Sequence, residues 1–160
     1  MDVGGVCKDV RLFLRGLAKD LPEIFPAPPR RCYVRRVPRE RVPEASRERA
    51  RALITARVEH WAGLLDVKYG RIAIKGHRTL WGSCSRRGNL NFNWRLAAAP
   101  PEALDYVVIH ELCHLREMNH SRAFWAHVAA ACPAYKRHRR WLKDNCAALY
   151  GLRGLEPALG

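Results

Sequence analysis

Apolar side chains recur at helical spacing along most of this chain and alternate with polar ones only in its middle. Residues 6 to 21 set Val6, Val10, Phe13, Leu14, Leu17 and Leu21 on one face, with Lys8, Asp9, Arg11, Arg15 and Lys19 on the other. This predicts an amphipathic helix that packs on its own domain, although a membrane-surface helix would share the pattern. Pro22, Pro26, Pro28, Pro29, Pro38 and Pro43 exclude a helix over residues 22 to 43, which read as a linker or extended arm. A second helix is expected from about Glu44 to Leu65, where Ala50, Leu53, Ile54, Val58, Trp61, Leu64 and Leu65 share a face.

The period then changes. Ile72 and Ile74 alternate within Gly70 to Lys75, a first strand, and Thr79 to Cys84 is a second. After a turn at Arg86-Arg87-Gly88-Asn89, Leu90, Phe92 and Trp94 alternate with Asn89, Asn91 and Asn93 in a third. Tight turns between them predict a small antiparallel sheet.

Pro100-Pro101-Glu102 suits a helix start, and the helix is expected to reach about Met118 with Leu104, Val107, Val108, Leu112 and Leu115 buried. Asn119 can end it and Ser121 can cap the next helix, Ala123 to Ala131, which Pro133 stops. A last helix, Tyr135 to Tyr150, turns Trp141, Leu142 and Leu149 inward and Lys136, Arg137, Arg139, Arg140 and Lys143 outward. The expected fold class is α+β, a small antiparallel sheet packed on the Pro101 helix with additional C-terminal helices. Residues 1–43 form an N-terminal helix and Pro/Arg-rich arm, 44–151 the folded domain, and 152–160 a flexible tail.

Composition supports a folded core: 48% of the 160 residues are hydrophobic, and five are Trp. The net charge of +14 admits phosphate or nucleic-acid contacts through the Arg-rich segments, and equally a solvated basic surface. From Arg30 to Arg57 ten Arg face three Glu, so half the excess is local. No stretch approaches the roughly 20 apolar residues of a membrane span. Arg11 and Arg15 break the apolar run around Phe13, unlike a secretory signal. The six cysteines include no C-x-x-C pair, which argues against a zinc ribbon. A reducing, cytoplasmic setting with buried or inert thiols is expected.

The chemistry concentrates in His110-Glu111-Leu112-Cys113-His114. Helix positions four apart share a face, so His110 and His114 can hold one metal ion, with Glu111 beside them to act on a water. His120 is a candidate third ligand, with Glu117 and His127 as rivals. Were the helix to continue, His120 would lie about 9 Å further along its axis than His114, so it can share the metal only if the chain turns back. The His114-to-His120 spacing is that of the metzincin motif, but Glu117 occupies the Gly position and no later Met could form a Met-turn. Glu117 could orient a His ring. Cys113 points off the ligand face and reads as a small core residue. Asn119, Arg122, His127 and Tyr135 are candidates to stabilise an oxyanion.

Several separate blocks resemble the YgjP-like metallopeptidases, relatives of the SprT-like proteins. They are Trp81-Gly82-Ser83-Cys84-Ser85, Gly88-Asn89-Leu90-Asn91-Phe92-Asn93-Trp94-Arg95-Leu96, Pro100-Pro101-Glu102, Asp105 through His114, Asn119-His120-Ser121, Phe124-Trp125, and Pro133 with Tyr135. The resemblance covers roughly residues 46 to 150. It implies a zincin-like fold, zinc held by His110, His114 and His120, and Glu111 as catalytic base. It further implies a zinc-dependent hydrolase of peptide or protein substrates, with the Trp81 to Ser85 strand aligning the substrate backbone. Leu80 stands where the family usually has Arg, and residues 1 to 43 do not look like the family's β-rich first segment. Two other classes fit the motif and charge: a metal-dependent hydrolase of nucleotides or other phosphorylated substrates, and a nucleic-acid-associated protein with a structural zinc.

Overall fold

Ala50, Ile54, Val58 and Ala62 fall four residues apart and all are buried, so helix α1 (Glu44–Leu65) presents a narrow seam of small and β-branched side chains. The computed structural model describes residues 42–152, 154 and 155. The helix expected over residues 6 to 21, and the arm as far as residue 41, lie outside the described residues. The seam of α1 meets the central helix, a short 3-10 helix and the first strand. These neighbours do not reach round to Leu53 and Leu64, which are 43% and 64% exposed despite falling on the expected face. The helix ends at Asp66, whose left-handed φ of 47° lets its N–H reach the Gly63 carbonyl while Val67 N–H reaches Ala62.

The sheet has three strands: β1 (Ile72–Lys75), β2 (Gly82–Cys84) and β3 (Leu90–Asn93), in the order β1-β3-β2. The antiparallel expectation holds for β2 and β3, with Ser83 opposite Asn91. It fails for β1, which runs parallel to β3 with Ile72 opposite Leu90. The difference lies in the connections. Ser85 to Asn89 is a tight turn that takes Gly88 to a φ of +75°, closed by Ser85 N–H to the Asn89 carbonyl at 2.9 Å. Residues 76 to 81 instead carry the chain past β3 to its far side. Leu90 and Phe92 point into the core and are fully buried.

Asn93 is also fully buried, and it decides where β2 lies. Its side-chain amide donates to the carbonyls of His77 and Leu80 at 2.7 and 3.2 Å, and its Oδ1 accepts from Arg95 N–H at 3.2 Å. One side chain thus pins the 77–80 loop and starts the 3-10 helix Trp94–Ala98. Trp94 leaves the strand here instead of continuing the alternation, and stays buried.

Helix α2 (Pro101–Cys113) starts as expected, with Pro101 in its first turn and Glu102 beside the N-terminal dipole. It is buried on nearly every side. Arg57 of α1 grips Asp105 of α2 with two hydrogen bonds of 2.6 and 2.5 Å. Asp105→Ala is expected to lower stability by about 1–2 kcal/mol, since a half-buried guanidinium loses its partner while its exposed edge stays hydrated. The urea midpoint measures this, and an unchanged midpoint would show that the pair contributes nothing.

The C-terminal part folds as α3 (Arg122–Ala131), α4 (Tyr135–Asp144) and α5 (Cys146–Gly151). Ser121 caps α3 by accepting from Phe124 N–H at 3.2 Å. The single helix expected over Tyr135 to Tyr150 is two. Asn145 breaks it by turning its side-chain amide back onto the Trp141 carbonyl at 2.9 Å. Among the described residues Cys84, Cys113 and Cys132 are free thiols. No helix among the described residues is long and apolar enough to cross a membrane.

Candidate metal centre

His110 and His114 stand one turn apart on α2, and their ring centroids are 5.0 Å apart. The helix was expected to run on to Met118, yet its last helical residue is Cys113. Leu115, Arg116, Glu117 and Met118 are good helix formers, so local preference favours continuation. Tertiary contacts win. The His114 ring takes the Glu117 carbonyl through Nδ1 at 3.0 Å, and the Arg116 guanidinium donates to the Leu65 carbonyl at the end of α1. This early stop lets the chain turn back, bringing His120 Nε2 to 3.0 Å from His110 Nε2.

The candidate ligand atoms of His110, His114 and His120 all lie within 4.8 Å of one another. A tetrahedral ion with nitrogen ligands at about 2.0–2.1 Å separates neighbouring ligand atoms by roughly 3.3 Å, so the three rings fit one ion of that size with small adjustments. His114 is already oriented, because the bond to Glu117 engages Nδ1 and leaves Nε2 for the metal. Glu117 therefore serves through its backbone carbonyl, and its carboxylate is not needed for that role. His110 Nδ1 is buried without a hydrogen-bond partner among the described residues. Burial, then the neighbouring His114 and His120 rings, then Arg139 push His110 down to about 3. Burial, His114 and Arg139 lower His120 as well. Both rings are neutral near pH 7, the form in which imidazole binds a metal.

Phe124, fully buried in α3, is the floor beneath all three rings. Its ring stacks on His114 at 4.5 Å and meets His110 and His120 edge-on at 4.9 and 4.7 Å. Trp125 stacks against His120 at 5.8 Å, and Tyr135 stacks on Trp125 at 5.3 Å.

Glu111 is 5% exposed, and burial pushes its carboxyl up to about 8. Its Oε2 has no hydrogen-bond partner among the described residues. Gly82 of β2 lies directly over it. A Cβ built on Gly82 would stand 2.6 Å from Oε1, 2.7 Å from Cγ and 2.9 Å from Cδ of Glu111. Glycine within a strand marks a close approach, and here what approaches is the carboxyl of the motif.

Cys113 faces away from the rings, as expected of a core residue. It is 3% exposed, and burial raises its thiol to about 11. It lines a cavity of about 380 Å³ with Trp61, Leu112 and His127, which places His127 in that cavity's wall. Asn119 and Arg122 are exposed beside the break, and Leu80 is 50% exposed in the loop before β2. Sequence reasoning missed Gly82 and Arg139. Arg139 sits over the Trp125 ring, 5.3 Å from its centroid. The signal was available, for Arg139 falls four residues after Tyr135, which stacks on the same ring.

The structure is similar to the crystal structure of the metallopeptidase zymogen of Pyrococcus abyssi abylysin, with a TM-score of 0.52 and 22% identity over 57% of this chain and 93% of that one. It is also similar to the metallopeptidase zymogen of Methanocaldococcus jannaschii jannalysin, with a TM-score of 0.47 and 21% identity over 55% of this chain and 94% of that one. No curated protein matches the sequence. The likeness to abylysin shows the fold. The model of the YgjP-like metallopeptidase domain matches residues 35–145, a span that holds the three histidines, Glu111 and Gly82, and the chain belongs to that family of metallopeptidases.

Proposed function

We propose that this chain is a zinc-dependent peptidase in which His110, His114 and His120 hold the metal and Glu111 is the general base. The observation that carries this reading is the convergence of three imidazoles beside a buried carboxyl with an unpartnered oxygen. A zinc ion bound there lowers the pKa of water toward about 7 and polarises a peptide carbonyl. Glu111 takes the proton of the attacking water as the new C–O bond forms. It returns that proton to the departing amine nitrogen as the C–N bond breaks. Phe124 keeps water from the underside of the rings, and Gly82 leaves the room in which the Glu111 carboxyl sits.

An extended peptide finds its template in β2. Among the described residues that strand pairs with β3 alone, which leaves its other edge, beside Glu111, without a strand partner among them. Addition of a peptide strand to this edge would hold the scissile bond against the site.

The coordination shell tests the proposal. X-ray absorption on the zinc-loaded chain should find three imidazole nitrogens and a solvent-exchangeable position, with peptide cleavage lost on chelation and restored by zinc. A fourth protein ligand would instead indicate a structural site. Chelator-sensitive hydrolysis of nucleotides with none of peptides would replace the substrate class.

A further inference from the structure

We propose that Arg139 is a carboxylate-recognition residue beside the metal centre, so that the site favours peptides carrying a carboxylate next to the bond to be cut. This rests on the peptidase reading above. Helix α4 places the guanidinium over the Trp125 ring, 5.3 Å from its centroid. Trp125 in turn stacks on His120 at 5.8 Å and lies 5.8 Å from His110. The cation and two of the three imidazoles therefore share one indole as a neighbour.

Among the described residues Arg139 has no hydrogen-bond or carboxylate partner, whereas its neighbour Arg140 pairs with Asp144 at 3.6 Å. A guanidinium lying on an aromatic face keeps its in-plane N–H groups free, and those groups match a carboxylate as a fork. Among the described residues the ring contact of Arg139 is with Trp125 and not with an imidazole, which argues against an oxyanion role, since that needs a donor about 3 Å from the reacting oxygen.

The carboxylate has two sources, an acidic side chain or a free C-terminus, and binding separates them. The full chain carrying Glu111→Gln, loaded with zinc, would be titrated by fluorescence anisotropy with three labelled hexapeptides. One is neutral and amidated, one is amidated with a single Glu, and one is neutral with a free C-terminus. At least one carboxylate peptide should bind about tenfold tighter than the neutral one, as a charge-assisted fork predicts. Adding Arg139→Gln should erase the difference, Arg139→Lys should keep part of it, and salt should shrink it. Equal binding of all three peptides, or a preference that survives Arg139→Gln, would overturn the proposal. Wild-type cleavage of the neutral peptide is scored separately. Its absence would sink the peptidase reading, while the binding series still decides the role of Arg139.

Discussion

Glu111→Gln should reduce peptide turnover by about a thousandfold or more while the chain still binds one zinc ion, since a positioned general base contributes about 10²–10⁴. Gln preserves the shape of the side chain and its fit beneath Gly82, but it cannot accept a proton. No second carboxylate contacts the three histidines among the described residues, so nothing replaces it. Turnover within tenfold of wild type would remove Glu111 from the mechanism.

The same substitution has a second signature in the metal-free chain. Burial raises the folded-state pKa of Glu111 from 4.5 to about 8. Between those values the folded chain keeps the proton and the unfolded chain releases it. Stability is therefore highest below the unfolded pKa and falls as pH rises toward 8. At about 1.4 kcal/mol per unit, the loss amounts to several kcal/mol. Gln cannot ionise, so the metal-free variant should gain stability relative to wild type as pH rises from 5 to 8 and exceed it at the upper end. Urea titrations at three pH values measure this. Bound zinc should mask the difference, because its charge favours the ionised carboxyl.

The second large effect is expected at a residue with no side chain. Gly82→Ala should lower kcat by about 10- to 100-fold with zinc affinity preserved, since a displacement of about 1 Å at the reacting groups costs on that order. The added Cβ meets Oε1, Cγ and Cδ of Glu111 at under 3 Å. Neither side yields easily. β2 is held by its pairing to β3 and by Trp81 accepting from Asn93 N–H at 2.8 Å, and α2 is enclosed by the core. The Glu111 carboxyl has to rotate, or β2 has to lift, at a stability cost of about 1–3 kcal/mol. The three atoms nearest the added Cβ all belong to Glu111, so metal content should persist. A Gly82→Ala enzyme with kcat within twofold of wild type would show that the cradle is not required.

Much of this site was legible because the chemistry is local. Pro101 marks the start of α2, four-residue spacing pairs His110 with His114, and Ser121 caps the helix that follows. What escaped depends on contacts between distant residues. No breaker stands between His114 and Asn119, and the Glu117 carbonyl on the His114 ring and the Leu65 carbonyl on Arg116 explain why the helix stops earlier. The parallel pairing of β1 follows from a connection that passes β3, a path that strand periodicity does not encode. Arg139 looked like one more cation on a solvated helix face, and its meaning came from the ring beneath it. Leu53 and Leu64 kept the right period yet lie outside the packed seam.

Phe124 has a consequence for how the metal arrives. Because one ring packs on all three imidazoles and the Glu117 carbonyl fixes one of them, the rotational freedom of the histidines is lost when the core assembles, ahead of metal uptake. An ion bound there would meet a rigid chelator, in contrast to a zinc finger, whose chain folds around its metal. Metal affinity there should therefore depend on the packing of α3 against α2 as much as on the identity of the ligands.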